Sequence, residues 1–437
     1  MVPLDDRQYR KWVYQRLDDR PLKAGDPLYQ PVYDHPGCED PIRLLQDRIE
    51  FAKTESLNLF SGFRGSGKTT ELFRLRERLA ALGYVVLYAD ALQYINPAAP
   101  IEIADLLIVL AGASSDALEN QHGIALKEEG YWTRLHNWLT TTEVSLKEIS
   151  LKSGADLKLE LRSAPSFRQR LSQALSPRIG ELHAQVTNFF EDGFKAIRQK
   201  LGTDVTVVFL FDSLEQVRGS LSNEQEVTHS VEVLFSKNLR MLEIPYLHVV
   251  YTVPPWLKFL LPGVPMVVLP CLRTWNNDEE RSICNPGMEG LRSLIGRRFT
   301  QDGLTSFFGP DPFARADRMI SLSGGHFRDL LLLLQETVLR AEDLPVSDDA
   351  MDRAIIEVRS RFLPIALDDA RWLVEIERER STLLKTSDAA EINRLTRFLD
   401  THLVLYLRNG EEWYDLHPLI RDEVQKIAKS SRVAPAE

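Results

Sequence analysis

The stretch Gly62-Phe63-Arg64-Gly65-Ser66-Gly67-Lys68-Thr69 decides the fold. A phosphate group is held by several backbone N–H donors converging on it, and side chains would block their approach. Gly62, Gly65 and Gly67 permit both the close contact and the unusual backbone angles. Leu57-Asn58-Leu59-Phe60 reads as a short strand running into this loop. Lys68 to Leu82 reads as the helix leaving it, with Leu72, Leu75, Leu79 and Leu82 spaced at three and four and Gly83 as its terminator. Strand, glycine loop and helix is the context that a phosphate-binding loop requires, and the helix adds its positive N-terminal dipole. Residues Gly62 to Thr70 are therefore the expected cradle for the phosphates of ATP or GTP, Phe63, Arg64, Ser66 and Thr70 included. Lys68 is expected to bridge the β- and γ-phosphates and to face solvent until they arrive. The Thr69 hydroxyl is expected to bind Mg²⁺.

Outward from the loop, Tyr84 to Ala89 is a second buried strand, which closes a βαβ unit of a parallel sheet. Val205 to Phe211 is a third, continuous in apolar residues as a strand buried on both faces should be. Tyr246 to Val253 is a fourth and Met266 to Leu269 a short fifth. The gap between the second and third is too long for a plain crossover, so an insertion is expected at about residues 96–203. Its ends, Ile101 to Ala113 and Ser166 to Leu201, read as helices. Its middle alternates, with Val144 and Leu146, then Leu157, Leu159 and Leu161 after Ser153-Gly154, and predicts a half-buried β-hairpin whose apolar face meets either a partner or the insertion's own helices.

The expected organisation is a lead-in over 1–40 and an α/β P-loop domain over 41–275. A helical lid over 276–364 and a winged-helix domain over 365–437 follow. The last rests on helices followed by Leu403 to Leu407, Asn409-Gly410 and Trp413 to Leu416, because Asn-Gly between two such runs is a strong hairpin signal.

Composition narrows the function classes. A formal net charge of −10 argues against broad, non-specific nucleic-acid binding. Cys38, Cys271 and Cys284 have no metal-ligand spacing, and an odd number of cysteines suggests no disulfide framework. No apolar run approaches the roughly 20 residues of a membrane span. The segment Met1 to Arg20 lacks the apolar core of a signal peptide. A cytoplasmic protein away from the membrane is the expectation.

Four further elements carry chemistry. Asp212 ends the apolar third strand, where a carboxylate emerges at the C-terminal edge of a parallel sheet and could hold Mg²⁺ through water; capping the next helix is the plainer role. Glu215, three residues on, could activate the attacking water. Thr252, near the end of the fourth strand, could contact the γ-phosphate, or could be there only because β-branched residues suit strands. In Ser323-Gly324-Gly325-His326-Phe327-Arg328-Asp329-Leu330, two glycines break one helix and open another, and Arg328 in the first turn could reach back to a γ-phosphate. The plainer reading is a glycine turn before a helix capped by Asp329.

Together these elements resemble the AAA+/STAND ATPases, and within them the branch sharing features with origin-recognition initiators. The resemblance runs from about Cys38 to Glu342, plus the winged-helix pattern. It implies a Walker A motif at Gly62 to Thr69, Walker B acids at Asp212 and Glu215, a sensor-1 position at Thr252 and a lid sensor at Arg328, with an adenine-binding segment near Pro36 to Leu44. The chain departs from the family where an arginine finger would lie, since Pro254 to Pro270 holds only Lys258; Arg297-Arg298 are a candidate substitute. The departure favours a STAND-type switch over a ring ATPase. The expected function is a slow, Mg²⁺-dependent ATPase acting as a conformational switch in a regulatory or defence-like assembly through a partner protein; a homo-oligomer stays open. The alternative is a DNA-acting ATPase using a recognition helix at about Ala389 to His402, with Asn393, Arg394 and Arg397. A third is a nucleotide-binding scaffold that barely hydrolyses.

Overall fold

The computed structural model describes residues 5–34, 39–124, 130–141, 153–220, 222–261, 263–299, 302–382, 384 and 389–430. The chain forms two compact units. One gathers Ile42–Ser61 and Arg74–Val268; the other gathers Met1–Pro41, Gly62–Phe73 and Leu269–Glu437.

The first unit is built on a five-stranded sheet. Its strands are β1 (Ser56–Gly62), β2 (Val85–Asp90), β3 (Val207–Asp212), β4 (Leu247–Val253) and β5 (Met266–Leu269), in the order β2-β3-β4-β1-β5. The pairs β1–β4, β2–β3 and β3–β4 are parallel. Every residue of β3 and β4 is buried, which is why both read as unbroken apolar runs. The fold is thus the expected α/β class with a parallel sheet. Parallel pairing brings the C-terminal ends of β1, β3 and β4 to one edge. Asp212 pairs with Asp90 there, and Thr252 lies beside Phe60 in register.

Between β2 and β3 the helices Ile103–His122, Tyr131–Thr141, Gly154–Ser163, Pro165–Leu175 and Ile179–Leu201 form the insertion. The expected β-hairpin is corrected here. Val144 and Leu146 lie outside the described residues, and Leu157, Leu159 and Leu161 lie on a helix capped by the Ser153 hydroxyl, which accepts from the Asp156 N–H. Leu157 and Leu161 are buried, whereas Leu159 is 62% exposed. Two leucines four apart share a helix face and the one between them does not, so the period-two pattern was a coincidence of intervening Lys158 and Glu160, both good helix formers. Inside the insertion Arg168 lies 3.7 Å from Asp105 and donates to the Pro100 carbonyl. Both side chains are buried.

In the second unit the N-terminal helix Asp6–Arg16 is tied to the C-terminal helices. Arg16 donates to the carbonyls of Arg297 and Arg298, and Gln335 to that of Leu17. Helices Asn285–Gly296, Gly303–Phe308, Pro312–Ser323, Phe327–Arg340 and Asp348–Ser360 follow, then Leu367–Glu379 and Ala389–Asp400. Strands β6 (Val404–Asn409) and β7 (Glu411–Leu416) pair antiparallel around Gly410, and Arg421–Ser430 is the last helix. The junction of lid and hairpin depends on glycine. A Cβ at Gly325 would lie 1.6 Å from the Leu272 carbonyl oxygen, and one at Gly324 would lie 2.3 Å from Leu405.

Candidate nucleotide-binding site

The glycine loop belongs to the second unit, where the lid helix closes on it. Gly65 adopts φ +85°, and a Cβ there would lie 2.6 Å from that of Arg328. The Arg328 N–H donates to the Gly65 carbonyl at 3.3 Å. One residue before the helix, His326 Nε2 lies 2.9 Å from the Arg64 carbonyl oxygen. Ser66 Oγ donates to the Phe63 carbonyl, and Phe63 is fully buried. Leu22 N–H donates to Thr70 Oγ1, which ties the N-terminal segment to the first turn of the loop's helix.

Lys68 corrects the expectation of a solvent-facing side chain. It is 5% exposed, and its ammonium donates to the carbonyls of Gly62 and Phe63 at 3.0 and 2.9 Å. The charge cannot be left bare in a buried loop, and two carbonyls of the loop itself accept from it. The Arg328 guanidinium pairs with Asp19 of the N-terminal segment, both side chains being partly exposed. Arg298 does not act as an outward-reaching finger. Its guanidinium is buried and donates to the carbonyls of Leu28 and Leu294, and burial pulls its pKa down to about 10. Arg297 Nε donates to Gln30. Residues 36–38 of the expected adenine segment lie outside the described residues.

In the first unit Asp212 is fully buried at the end of β3. Its Oδ2 accepts from the Tyr88 hydroxyl at 3.0 Å and its Oδ1 from the Ser213 N–H at 2.8 Å. Burial and the neighbouring Asp212 charge push the Tyr88 phenol far above its ordinary value, so Tyr88 stays a neutral donor. Ser213 takes a left-handed φ of +71°, an uncommon conformation for a residue other than glycine. That kink turns the chain into the short Leu214–Gln216 turn, which carries Glu215, also buried. Thr252 is fully buried on β4, and its hydroxyl meets no hydrogen-bond partner among the described residues. Asp212, Glu215 and Thr252 thus share one unit, and the loop, Lys68, Thr69 and Arg328 the other. The carboxylates and hydroxyls involved are hard oxygen donors, the chemistry Mg²⁺ selects.

A cluster that the sequence reading passed over lies behind the loop in the second unit. Asp329 Oδ2 is 2.7 Å from His326 Nδ1, 3.4 Å from His402 Nδ1 and 3.3 Å from His417 Nε2, all buried. Burial would raise the Asp329 carboxyl, but the charge of His326 beside it holds it well below the carboxylate range. Burial lowers His402 to about 4. The only local signal is the three-residue spacing of His326 and Asp329 across the first turn of a helix; His402 and His417 arrive from far along the chain.

No family model and no curated protein matches the chain. Among solved structures it is similar to a Walker-type ATPase of Pyrococcus abyssi, PABY2304, at 14% identity over 94% of this chain and 99% of that one, with a TM-score of 0.41. It is similar to the ORC2 protein of Aeropyrum pernix in its ADP form, at 12% identity over 96% and 98%, TM-score 0.38. It is also similar to Cdc6p of Pyrobaculum aerophilum, at 11% identity over 93% and 98%, TM-score 0.36. These likenesses are remote, and neither the fold nor the site rests on them.

Proposed function

We propose that the chain binds and slowly hydrolyses ATP with Mg²⁺, and that the bound nucleotide sets the position of the lid and the C-terminal helix–hairpin segment, read here as a winged helix. The observation that carries this reading is the lid helix start seated on the glycine loop, with Arg328 N–H on Gly65 and His326 on Arg64. A phosphate in the loop would compete with the Gly62 and Phe63 carbonyls for the Lys68 ammonium. Differential contact of this kind is what a switch needs. We assign Thr69 and Asp212 to Mg²⁺, which would neutralise phosphate charge when bound. Glu215 is assigned to the attacking water, Thr252 to the γ-phosphate side and Arg328 to sensing it. A partner protein is assigned the upstream signal or the output.

The DNA-acting alternative is disfavoured by the arginines it needs. Arg394 and Arg397 both pair with Asp369, and Arg394 also lies over the Trp372 ring. Phosphate contacts dominate DNA affinity, and Arg394 is held by both contacts, although Arg397 is 55% exposed and its pair is weak. Limited proteolysis of the full chain with ADP and with a non-hydrolysable ATP analogue tests the proposal. The expected result is a nucleotide-specific cleavage pattern beyond residue 389; identical patterns would refute the switch.

A further inference from the structure

We infer that His326, Asp329 and His402 form a binding site for one divalent transition ion of the zinc type, separate from the Mg²⁺–nucleotide site. Their ligand atoms all lie within 4.8 Å of one another, and all three residues are buried. A tetrahedral ion with ligands at about 2.0–2.1 Å sets its ligands about 3.3 Å apart. The separations from Asp329 Oδ2, 2.7 Å to His326 Nδ1 and 3.4 Å to His402 Nδ1, bracket that edge.

The alternative is a hub of hydrogen bonds on Asp329, and direction argues against it. His326 Nδ1 and His417 Nε2 lie 2.7 and 3.3 Å from Asp329 Oδ2, yet none of the three atoms makes a well-directed hydrogen bond. Leaving several such polar atoms unpaired in a core is costly, whereas a shared cation would satisfy the nitrogen and the carboxylate together.

The surrounding groups suit ligands. His326 Nε2 faces a carbonyl, that of Arg64, and must carry the proton there. Its Nδ1, 2.7 Å from Asp329 Oδ2, is then the ring nitrogen left to ligate, and an ion binding there would displace the proton it shares with that carboxylate. His417 is excluded as a ligand by the same reasoning. Its Nδ1 accepts the Leu419 N–H at 3.2 Å, so Nε2 bears the proton and offers an ion no lone pair. Two imidazoles and one carboxylate favour zinc, cobalt or nickel over Mg²⁺ or Ca²⁺. The ion would pin the start of the Phe327–Arg340 helix to His402, which precedes the hairpin, at a point one hydrogen bond from the glycine loop.

The test uses the full chain, stripped with a chelator and desalted, without nucleotide. Co²⁺ is titrated and its visible absorption followed, then Zn²⁺ is added in competition. The expected result is one equivalent of Co²⁺ with the intense bands of a tetrahedral ion, displaced by Zn²⁺. His326→Gln and His402→Gln should each weaken binding more than about tenfold, with circular dichroism unchanged. Wild-type protein that binds no Co²⁺ overturns the site without any variant. Binding that persists undiminished in both variants overturns it as well, because the ion then lies elsewhere.

Discussion

Gly65 and Arg328 meet backbone to backbone, the Arg328 N–H donating to the Gly65 carbonyl at a point where a Cβ on Gly65 would sit 2.6 Å from Arg328 Cβ. Glycine at 65 therefore serves the lid as well as the phosphates. Gly65→Ala should cost about 1–2 kcal/mol through its left-handed backbone alone, with more lost as the lid is pushed off. Urea unfolding and ATP titration together check this. A variant with wild-type stability and affinity would mean that the loop and lid part easily.

Lys68→Ala should do more than remove phosphate affinity. The buried ammonium satisfies two carbonyls, and its loss leaves them without that donor. Stability without nucleotide should fall by about 1–3 kcal/mol, and the ATP-dependent rise in melting temperature should largely vanish. Equal thermal shifts in wild type and variant would remove Lys68 from the phosphate site.

Asp212→Asn and Glu215→Gln should separate binding from turnover. Asp212 is assigned to Mg²⁺, so its loss should weaken ATP binding and hydrolysis together. Glu215 is assigned to water, so Glu215→Gln should retain ATP and lower turnover about 10²–10⁴-fold. Hydrolysis at the wild-type rate in Glu215→Gln would place the base elsewhere.

Arg328 is paired with Asp19, and each side chain is about a third or more exposed, 34% and 45%. An ion pair this exposed contributes at most about 1 kcal/mol. Asp19→Ala should thus leave folding nearly unchanged while freeing Arg328, and should raise the preference for ATP over ADP. Arg328→Ala should lower that preference with ADP affinity unchanged. Competition binding reads both, and a preference that neither variant moves would make Arg328 structural only.

How much of this was legible follows from where each signal resides. The sheet and loop were readable because β3 and β4 are buried on both faces and the loop's residues are contiguous. Lys68 was misjudged because its orientation depends on carbonyls that only the folded loop presents. Leu157, Leu159 and Leu161 misled because a helix with one exposed leucine can mimic strand alternation over five residues. The Asp329 cluster was hidden because its histidines lie at 326, 402 and 417, joined only by tertiary folding. Asp105 and Arg168 were equally silent, being partners across two insertion helices.

That last pair gives a pH dependence of unusual sign. Burial pushes Asp105 up to about 7, against the opposing charge of Arg168 at 3.7 Å. The unfolded carboxyl titrates near its ordinary value of 3.8. Between the two values the folded chain holds a proton that the unfolded chain has released. Folding is then favoured as pH falls, so this group's contribution is full below about pH 4 and is lost as pH rises through about 7. Asp105→Asn has no such proton to hold. The stability of wild type relative to Asp105→Asn should therefore increase as pH is lowered from 8 to 5, with a slope approaching about 1.4 kcal/mol per pH unit at most. Urea unfolding of both proteins at several pH values measures the difference directly, and other titrating groups cancel between them. A difference that stays flat would mean Arg168 keeps Asp105 ionised throughout. A difference that shrinks toward low pH would mean the ion pair outweighs burial, and Asp105 would then behave as an ordinary salt-bridged carboxylate with its pKa depressed.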